Sequence, residues 1–171
     1  MMVVSHLVFS VGCTAAAAAA GLIPVNPLLF AVGAFGSLLP DIDHPSSWLG
    51  RRLPFISYPI SAVFGHRGIT HSLLAIVGMA YLLSGKILIP DVLTALIVGY
   101  LSHLFGDSFT HKGIPLFWPN KTPIKMPWTF KSGSATEKIF IAVLVLLAWQ
   151  YAQHKLPNLS ISLSNLIEST P

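Results

Sequence analysis

Long apolar runs, broken by short polar clusters, set the pattern of this chain. Residues 3 to 23 (VVSHLVFSVGCTAAAAAAGLI) carry no full charge, and at about 1.5 Å per residue a helix of that length crosses a hydrocarbon core of about 30 Å. The pattern predicts a first membrane helix there. No Lys or Arg precedes it, as a secretory signal requires, so the alanine run reads as part of a retained helix and not as a cleavage region. After the turn Ile23-Pro24-Val25-Asn26-Pro27, residues 28 to 39 (LLFAVGAFGSLL) are apolar, with Gly33, Ala34, Gly36 and Ser37 interleaved. Such small residues let helices approach closely. Three further apolar segments cover residues 72 to 84, 92 to 106 and 137 to 153, and Ser134 and Glu137 open the last at capping-box spacing.

The fold class this predicts is all-α, a polytopic membrane helix bundle of about five membrane segments, the second of them short for a full span. Residues 1 to 155 form the membrane-embedded domain and residues 156 to 171 a polar tail. Two stretches between the apolar runs differ in kind. Residues 46 to 65 mix Trp48, Phe55, Tyr58 and Phe64 with Arg51 and Arg52, which predicts a short interfacial helix whose regularity Pro54 and Pro59 limit. Residues 112 to 133 hold four prolines, two tryptophans and four lysines. They read as an ordered loop on the membrane surface.

Composition sharpens this picture. Of 171 residues 53% are hydrophobic and 9% charged, with a mean hydropathy of +0.71, too apolar for an ordinary soluble domain. The net charge of +4 would suit nucleic acid, but the ten Lys and Arg are scattered through loops and form no stripe. A positive-inside pattern accounts for them better. The single cysteine, Cys13, excludes an internal disulfide and a CxxC site.

Candidate chemistry concentrates between Pro40 and His71, where Asp41, Asp43, His44, His66 and His71 stand with Arg51, Arg52 and Arg67. Asp and His together suit zinc or manganese, and a dication offsets the cost of gathering carboxylates close to lipid. His66 and His71 are five apart and converge only if the first belongs to a loop, which Gly65 and Gly68 permit. His103 and Asp107, four apart, share one helix face. His6 sits in the first turn of the first helix. With five segments, the loop bearing Arg51, Arg52 and Arg67 and the loop bearing Lys112, Lys121, Lys125 and Lys131 lie on one side. The connections opposite hold only Lys86 and Asp91. Positive-inside then places both basic loops and the N-terminus in the cytoplasm, and brings His6, Asp41, Asp43, His44, His66, His71, His103 and Asp107 to one depth. Helix ends satisfied by hydrogen bonds would need no metal, and a transporter would carry polar groups through the middles of its helices, which here are Ala, Leu, Val and Gly.

The strings DIDHPSSWLGRRL, GHRGITHSLLA and GYLSHLFGDSFTHKGIPLFWP, in that order, resemble the LexA-binding, inner-membrane-associated hydrolase family of membrane-bound metal-dependent hydrolases. The resemblance covers roughly residues 1 to 150. It implies a bacterial inner-membrane location, distant kinship with zinc-dependent phospholipase C and P1-type nucleases, and a gene under the DNA-damage response. It implies no DNA binding. It marks His6, Asp41, Asp43, His44, His66, His71, His103 and Asp107 as the matching polar positions, with His111 outside the set. The expectation is hydrolysis of a phosphoester on a lipid or lipid-linked substrate at the cytoplasmic face, assisted by Zn²⁺ or Mn²⁺. In that scheme Asp41 or Asp43 orients or deprotonates water, Arg67 neutralises phosphoryl oxygens, and Arg51 and Arg52 hold phosphates at the interface. The partners expected are membrane lipid and a phospholipid or lipid phosphate, with no nucleic acid; the oligomeric state stays open. The alternative is a non-enzymatic metal-binding scaffold or stress-response protein.

Overall fold

The computed structural model describes residues 1 to 84 and 89 to 155. Lys86, used in the topology count above, and the tail 156 to 171 lie outside the described residues. Among these the chain is helical, with no strand: α1 (Val3–Ala19), α2 (Pro27–Gly36), α3 (Pro54–Phe64), α4 (Leu73–Leu83), α5 (Pro90–Ser108) and α6 (Ala135–Lys155). Two 3-10 turns, Pro40–Asp43 and Ile69–His71, follow α2 and precede α4.

Helix lengths differ from the expectation. The first apolar run closes early, because the chain turns through the left-handed Gly21 at φ 76°, and α1 keeps 17 residues, about 25 Å. Helices α2 and α4 have 10 and 11 residues. Helices α5 and α6 are longer but carry Asp91, His103 and Asp107 in one and Glu137, Lys138 and Gln150 in the other. No helix among the described residues is both long and apolar enough to cross a membrane.

The surface is nonetheless far more apolar than that of a water-soluble bundle, and polar groups are buried beside an apolar core that includes Ala17, Ala18, Ile23, Leu29 and Ala95. On α1 the residues buried at four-residue spacing are polar, His6, Ser10 and Thr14, while Val4 (67% exposed), Val8 and Val11 face outward. Leu82 and Tyr81 on α4 and Ile139, Leu146 and Leu147 on α6 are likewise exposed. The inward hydroxyls satisfy themselves on backbone: Ser10 Oγ donates to Gly33 O (2.8 Å) and Thr14 Oγ1 to Ser10 O (2.9 Å).

Helix α1 packs on α2, α5 and α6, and α2 packs closely on α5. The small residues of α2 make that contact. A Cβ on Gly99 would strike Gly33 O and lie 2.8 Å from its carbonyl carbon, and one on Gly36 would strike Leu96 O and lie 3.2 Å from its carbonyl carbon. Backbones this close leave no room for larger side chains. At the other end of the chain Glu137 ties two elements together: Oε2 accepts from Gly133 N (2.7 Å) at the start of α6, and Oε1 from Met2 N (2.9 Å) beside α1. Helix α3 begins on Pro54 and carries Pro59 within it, and it exposes Phe55 (92%), Tyr58 and Val63. The proline-rich loop before α6 is fixed by paired backbone bonds between Ile114 and Ile124 (3.1 and 2.8 Å) and by Leu73 N to Leu116 O (2.9 Å).

Candidate metal centre

Four helix ends meet at one end of the bundle. His6 stands in the first turns of α1, Asp41 and Asp43 in the 3-10 turn after α2, His71 in the turn before α4, and His103 and Asp107 in the last turns of α5. His6, His71, His103, Asp43 and Asp107 are all fully buried or within 1% of it. Asp41 keeps a side chain 20% exposed.

The two inner histidines are held by their backs. His103 Nδ1 lies 2.6 Å from Ser37 O, and since a carbonyl only accepts, this nitrogen carries the proton and Nε2 keeps its lone pair. His71 Nδ1 lies 3.1 Å from Thr70 Oγ1 and 3.3 Å from Asp43 Oδ2; because the Thr70 hydroxyl spends its proton on Asp43, Nδ1 is the donor to both and the same tautomer results. Both Nε2 atoms are buried without a hydrogen-bond partner. They point at two carboxylate oxygens: His71 Nε2 is 3.9 Å from Asp41 Oδ1 and 3.8 Å from Asp107 Oδ2, and His103 Nε2 is 3.7 Å and 3.8 Å from the same atoms. A tetrahedral zinc site with bonds of 2.0–2.1 Å has ligand edges of roughly 3.4 Å, so these four His–Asp edges need to close by only a few tenths of an ångström. Asp41, His71 and His103 form one triad with mutually close ligand atoms, and His6, His103 and Asp107 another. Because His103 has a single free nitrogen, the two triads share one lone pair, and Asp107 with its two oxygens is the group able to bridge them. Its Oδ1 is 3.4 Å from His6 Nε2 and accepts from the Met1 amino group.

Asp43 does not face the cluster. Its Oδ1 accepts from His66 Nδ1 (3.0 Å), and its Oδ2 from Arg67 N (2.9 Å), from the Thr70 hydroxyl and from His71. Burial pushes its pKa up, but the bonds from His66, His71 and Thr70 outweigh this and hold it well below the usual carboxylate range. The carboxylate–histidine pair Asp43–His71 is the arrangement that orients a metal-binding imidazole. His66, partly exposed, hangs on Asp43 at the rim, with the His44 ring tilted against it at 4.4 Å between ring centroids. His44 Nδ1 accepts from Ser46 N (3.2 Å); burial and the neighbouring His66 hold its pKa below the ordinary value. His111 lies on the exposed loop, bonded to Thr129 Oγ1 (2.8 Å).

Arg67 reaches in from a backbone at φ 60°. Its NH2 pairs with Asp107 Oδ2 (2.6 Å), and its NH1 donates to Gly113 O (2.7 Å) and Thr110 Oγ1 (3.0 Å). Arg52 instead lies flat over Trp48, 3.7 Å from the ring centre, on the exposed side of the loop. Sequence reasoning passed over Thr70, Thr110 and the carbonyl of Ser37. Only their flanking of the ligands could have signalled them, since Ser and Thr seldom stand out in such segments.

A helical protein with large aliphatic surfaces exposed, and with a buried His/Asp cluster closing one end, belongs to the membrane-associated class. The chain matches the YdjM inner membrane protein family over residues 1–167 and belongs to that family. It is 39% identical over 165 residues to "Inner membrane protein YdjM" of Escherichia coli (strain K12), covering 90% of this chain and 83% of that protein. It is 41% identical over 139 residues to "Uncharacterized protein YvsG" of Bacillus subtilis (strain 168), covering 81% and 86%. No solved structure matches it. The YdjM name states an inner-membrane location, and neither relative's name states a reaction, a cofactor or a link to DNA damage.

Proposed function

We propose that this protein is a metal-dependent hydrolase of the inner membrane, acting on a phosphoester of a lipid or lipid-linked substrate at the cytoplasmic face. The observation that carries this reading is the pair of buried, unpartnered Nε2 atoms of His71 and His103 aimed at Asp41 and Asp107. Leaving two such lone pairs without partners costs about 1–3 kcal/mol each, a cost that a bound cation removes. Asp41, His71, His103 and Asp107 would hold the ion, with His6 beside them, and the N/O donor set fits Zn²⁺ and also Mn²⁺. When bound, such an ion acidifies water and neutralises charge on phosphoryl oxygens.

The chain's own groups divide the remaining work. Asp41, the one cluster carboxylate open to solvent, is placed to take a proton from attacking water. Asp43 keeps His71 in the tautomer that presents Nε2. Arg67 braces Asp107 and lies in the wall of the neighbouring cleft. The exposed aliphatic surfaces of α1, α4 and α6 support a bundle embedded among lipid tails, the membrane thinning to meet short helices. The loops carrying Arg51, Arg52, Arg67 and Lys112 lie at the cluster's end of the bundle, which favours the cytoplasmic side.

The test is metal content of the detergent-purified chain by mass spectrometry, followed by phosphate and headgroup release from a lipid panel. About one tightly held transition-metal ion per chain, and release that a chelator abolishes, is the expected result. Protein of normal stability that holds no metal would instead favour a scaffold without catalysis.

A further inference from the structure

Beside the cluster, on the far side of the Gly65–Gly68 loop, lies a cleft of about 400 Å³, within the range of small-molecule sites. Its wall includes His66, Arg67, Lys112, Trp118 and Lys121, and no carboxylate lines it. Two of these residues join it to the cluster: His66 through its bond to Asp43 (3.0 Å) and Arg67 through its pair with Asp107 (2.6 Å). Arg67 Nε is buried and has no hydrogen-bond partner, and His66 uses only Nδ1 on Asp43, leaving its other ring nitrogen free of that bond.

We propose that this cleft binds the phosphate group of the substrate, with Lys112 and Lys121 as its specificity-determining residues; the assignment of a substrate rests on the hydrolase reading above. Lys112 and Lys121 stand at one hollow that no carboxylate lines, beside an Arg67 already paired with Asp107, and an anion seated there is favoured by their charge. Lysines meet a phosphate as mobile point charges, while Arg67, held by Gly113 O and Thr110, supplies a fixed donor edge between cleft and cluster. Trp118 closes one side with an apolar face. A phosphate seated here lies against the residues that carry the cluster. Arg51 and Arg52, the phosphate binders expected from the sequence, do not line the cleft, and Arg52 is spent on Trp48.

The experiment measures, on the full chain in detergent, calorimetric binding of inorganic phosphate and of short-chain phosphatidic acid in mixed micelles, with phosphatidylcholine micelles as the zwitterionic control. It compares wild type, the double variant Lys112→Gln/Lys121→Gln, and Arg51→Gln/Arg52→Gln, each with and without chelator, with metal content and thermal midpoint read on the same samples. Lys112 and Lys121 are exposed, so the double variant should keep its midpoint. The expected result is a loss of about tenfold or more in phosphate affinity in the lysine variant, with metal content unchanged, and no loss in the arginine variant. Weakening of phosphatidic acid alone would mark the lipid headgroup as the source, and weakening of both would mark the phosphate group wherever it is carried. Wild-type affinity in the lysine variant would overturn the proposal, as would phosphate binding that vanishes with the metal and ignores the lysines. A wild type that holds no metal, yet binds phosphate through Lys112 and Lys121, would sink the hydrolase reading and leave the anion cleft standing.

Discussion

Asp41 and Asp43 stand two residues apart, yet replacing each by asparagine should give opposite outcomes. Asp43 is fully buried and takes four donors: His66 Nδ1 at 3.0 Å on one oxygen, and Arg67 N at 2.9 Å, the Thr70 hydroxyl and His71 Nδ1 at 3.3 Å on the other. In Asp43→Asn the amide oxygen keeps one side, while the amino group turns a donor toward the other. Loss of charge assistance on the kept bonds, and of one bond outright, should cost about 2–3 kcal/mol of stability. Its effect on metal is indirect, through the orientation and tautomer of His71, so affinity should fall about 10- to 100-fold, or about 1.4–2.7 kcal/mol, with stoichiometry kept at saturation. In Asp41→Asn the lost atom faces His71 Nε2 and His103 Nε2 directly. Metal binding should collapse, while stability of the metal-free protein should change by less than about 1 kcal/mol. Competition with a fluorescent zinc chelator gives affinity and stoichiometry, and the thermal midpoint of chelated protein gives the structural cost. If Asp43→Asn abolishes stoichiometric binding as Asp41→Asn does, Asp43 is a ligand and the orienting role is wrong. If it leaves affinity untouched, the pair with His71 has no bearing on the metal.

Three further outcomes follow from the packing and the site. His103→Ala and Asp107→Ala should each remove most of the bound metal, and the double variant should be scarcely worse than either, because ligands of one ion act as a unit; additive losses of stability with metal retained would remove the pair from the site. Gly99→Ala sets a methyl against Gly33 O and should cost about 2 kcal/mol or more even after about 1 kcal/mol of helix propensity is gained, whereas Gly12→Ala, whose methyl would meet Ala148 Cβ at 3.5 Å, should be neutral or stabilising; equal thermal midpoints would refute the close α2–α5 contact. In a Cys13→Ser background, single cysteines at the exposed Ser46 and Asn120 should label from the side opposite one at the exposed Val25. Ser46 and Val25 serve better than their neighbours, since Ser47 Oγ holds Asp41 O and Asn26 caps α2. Labelling of Ser46 and Val25 from one side would break the placement of the cluster at the cytoplasmic face.

Spacing along the chain was enough to gather the site and not enough to arrange it. The apolar runs place α1, α2, α4, α5 and α6 within a few residues. The rule that helix starts and ends alternate sides then brings His6, Asp41, His71, His103 and Asp107 to one end of the bundle, where the structure has them. Helix length was less legible, because it is set by local chain reversal: Gly21 ends α1 where hydrophobicity alone continues to Ile23. The roles of the two aspartates were hidden for a similar reason. In a 3-10 turn of three residues per turn, positions two apart point about 120° away from each other, so Asp41 faces His103 while Asp43 swings behind His71. In an extended loop both could have met one ion, and Asp-x-Asp-His does not distinguish the two. The cleft lay further from view. Lys112 and Lys121 are nine residues apart in a proline-rich loop without periodicity, and they share a wall only because Ile114 and Ile124 bond across it and Gly113 (φ 66°) lets the chain turn toward Arg67. A composition of four lysines and two tryptophans suggests a surface that meets headgroups. That two of the lysines stand across a hollow from the back of the His/Asp cluster depends on a backbone bridge that no side-chain pattern announces.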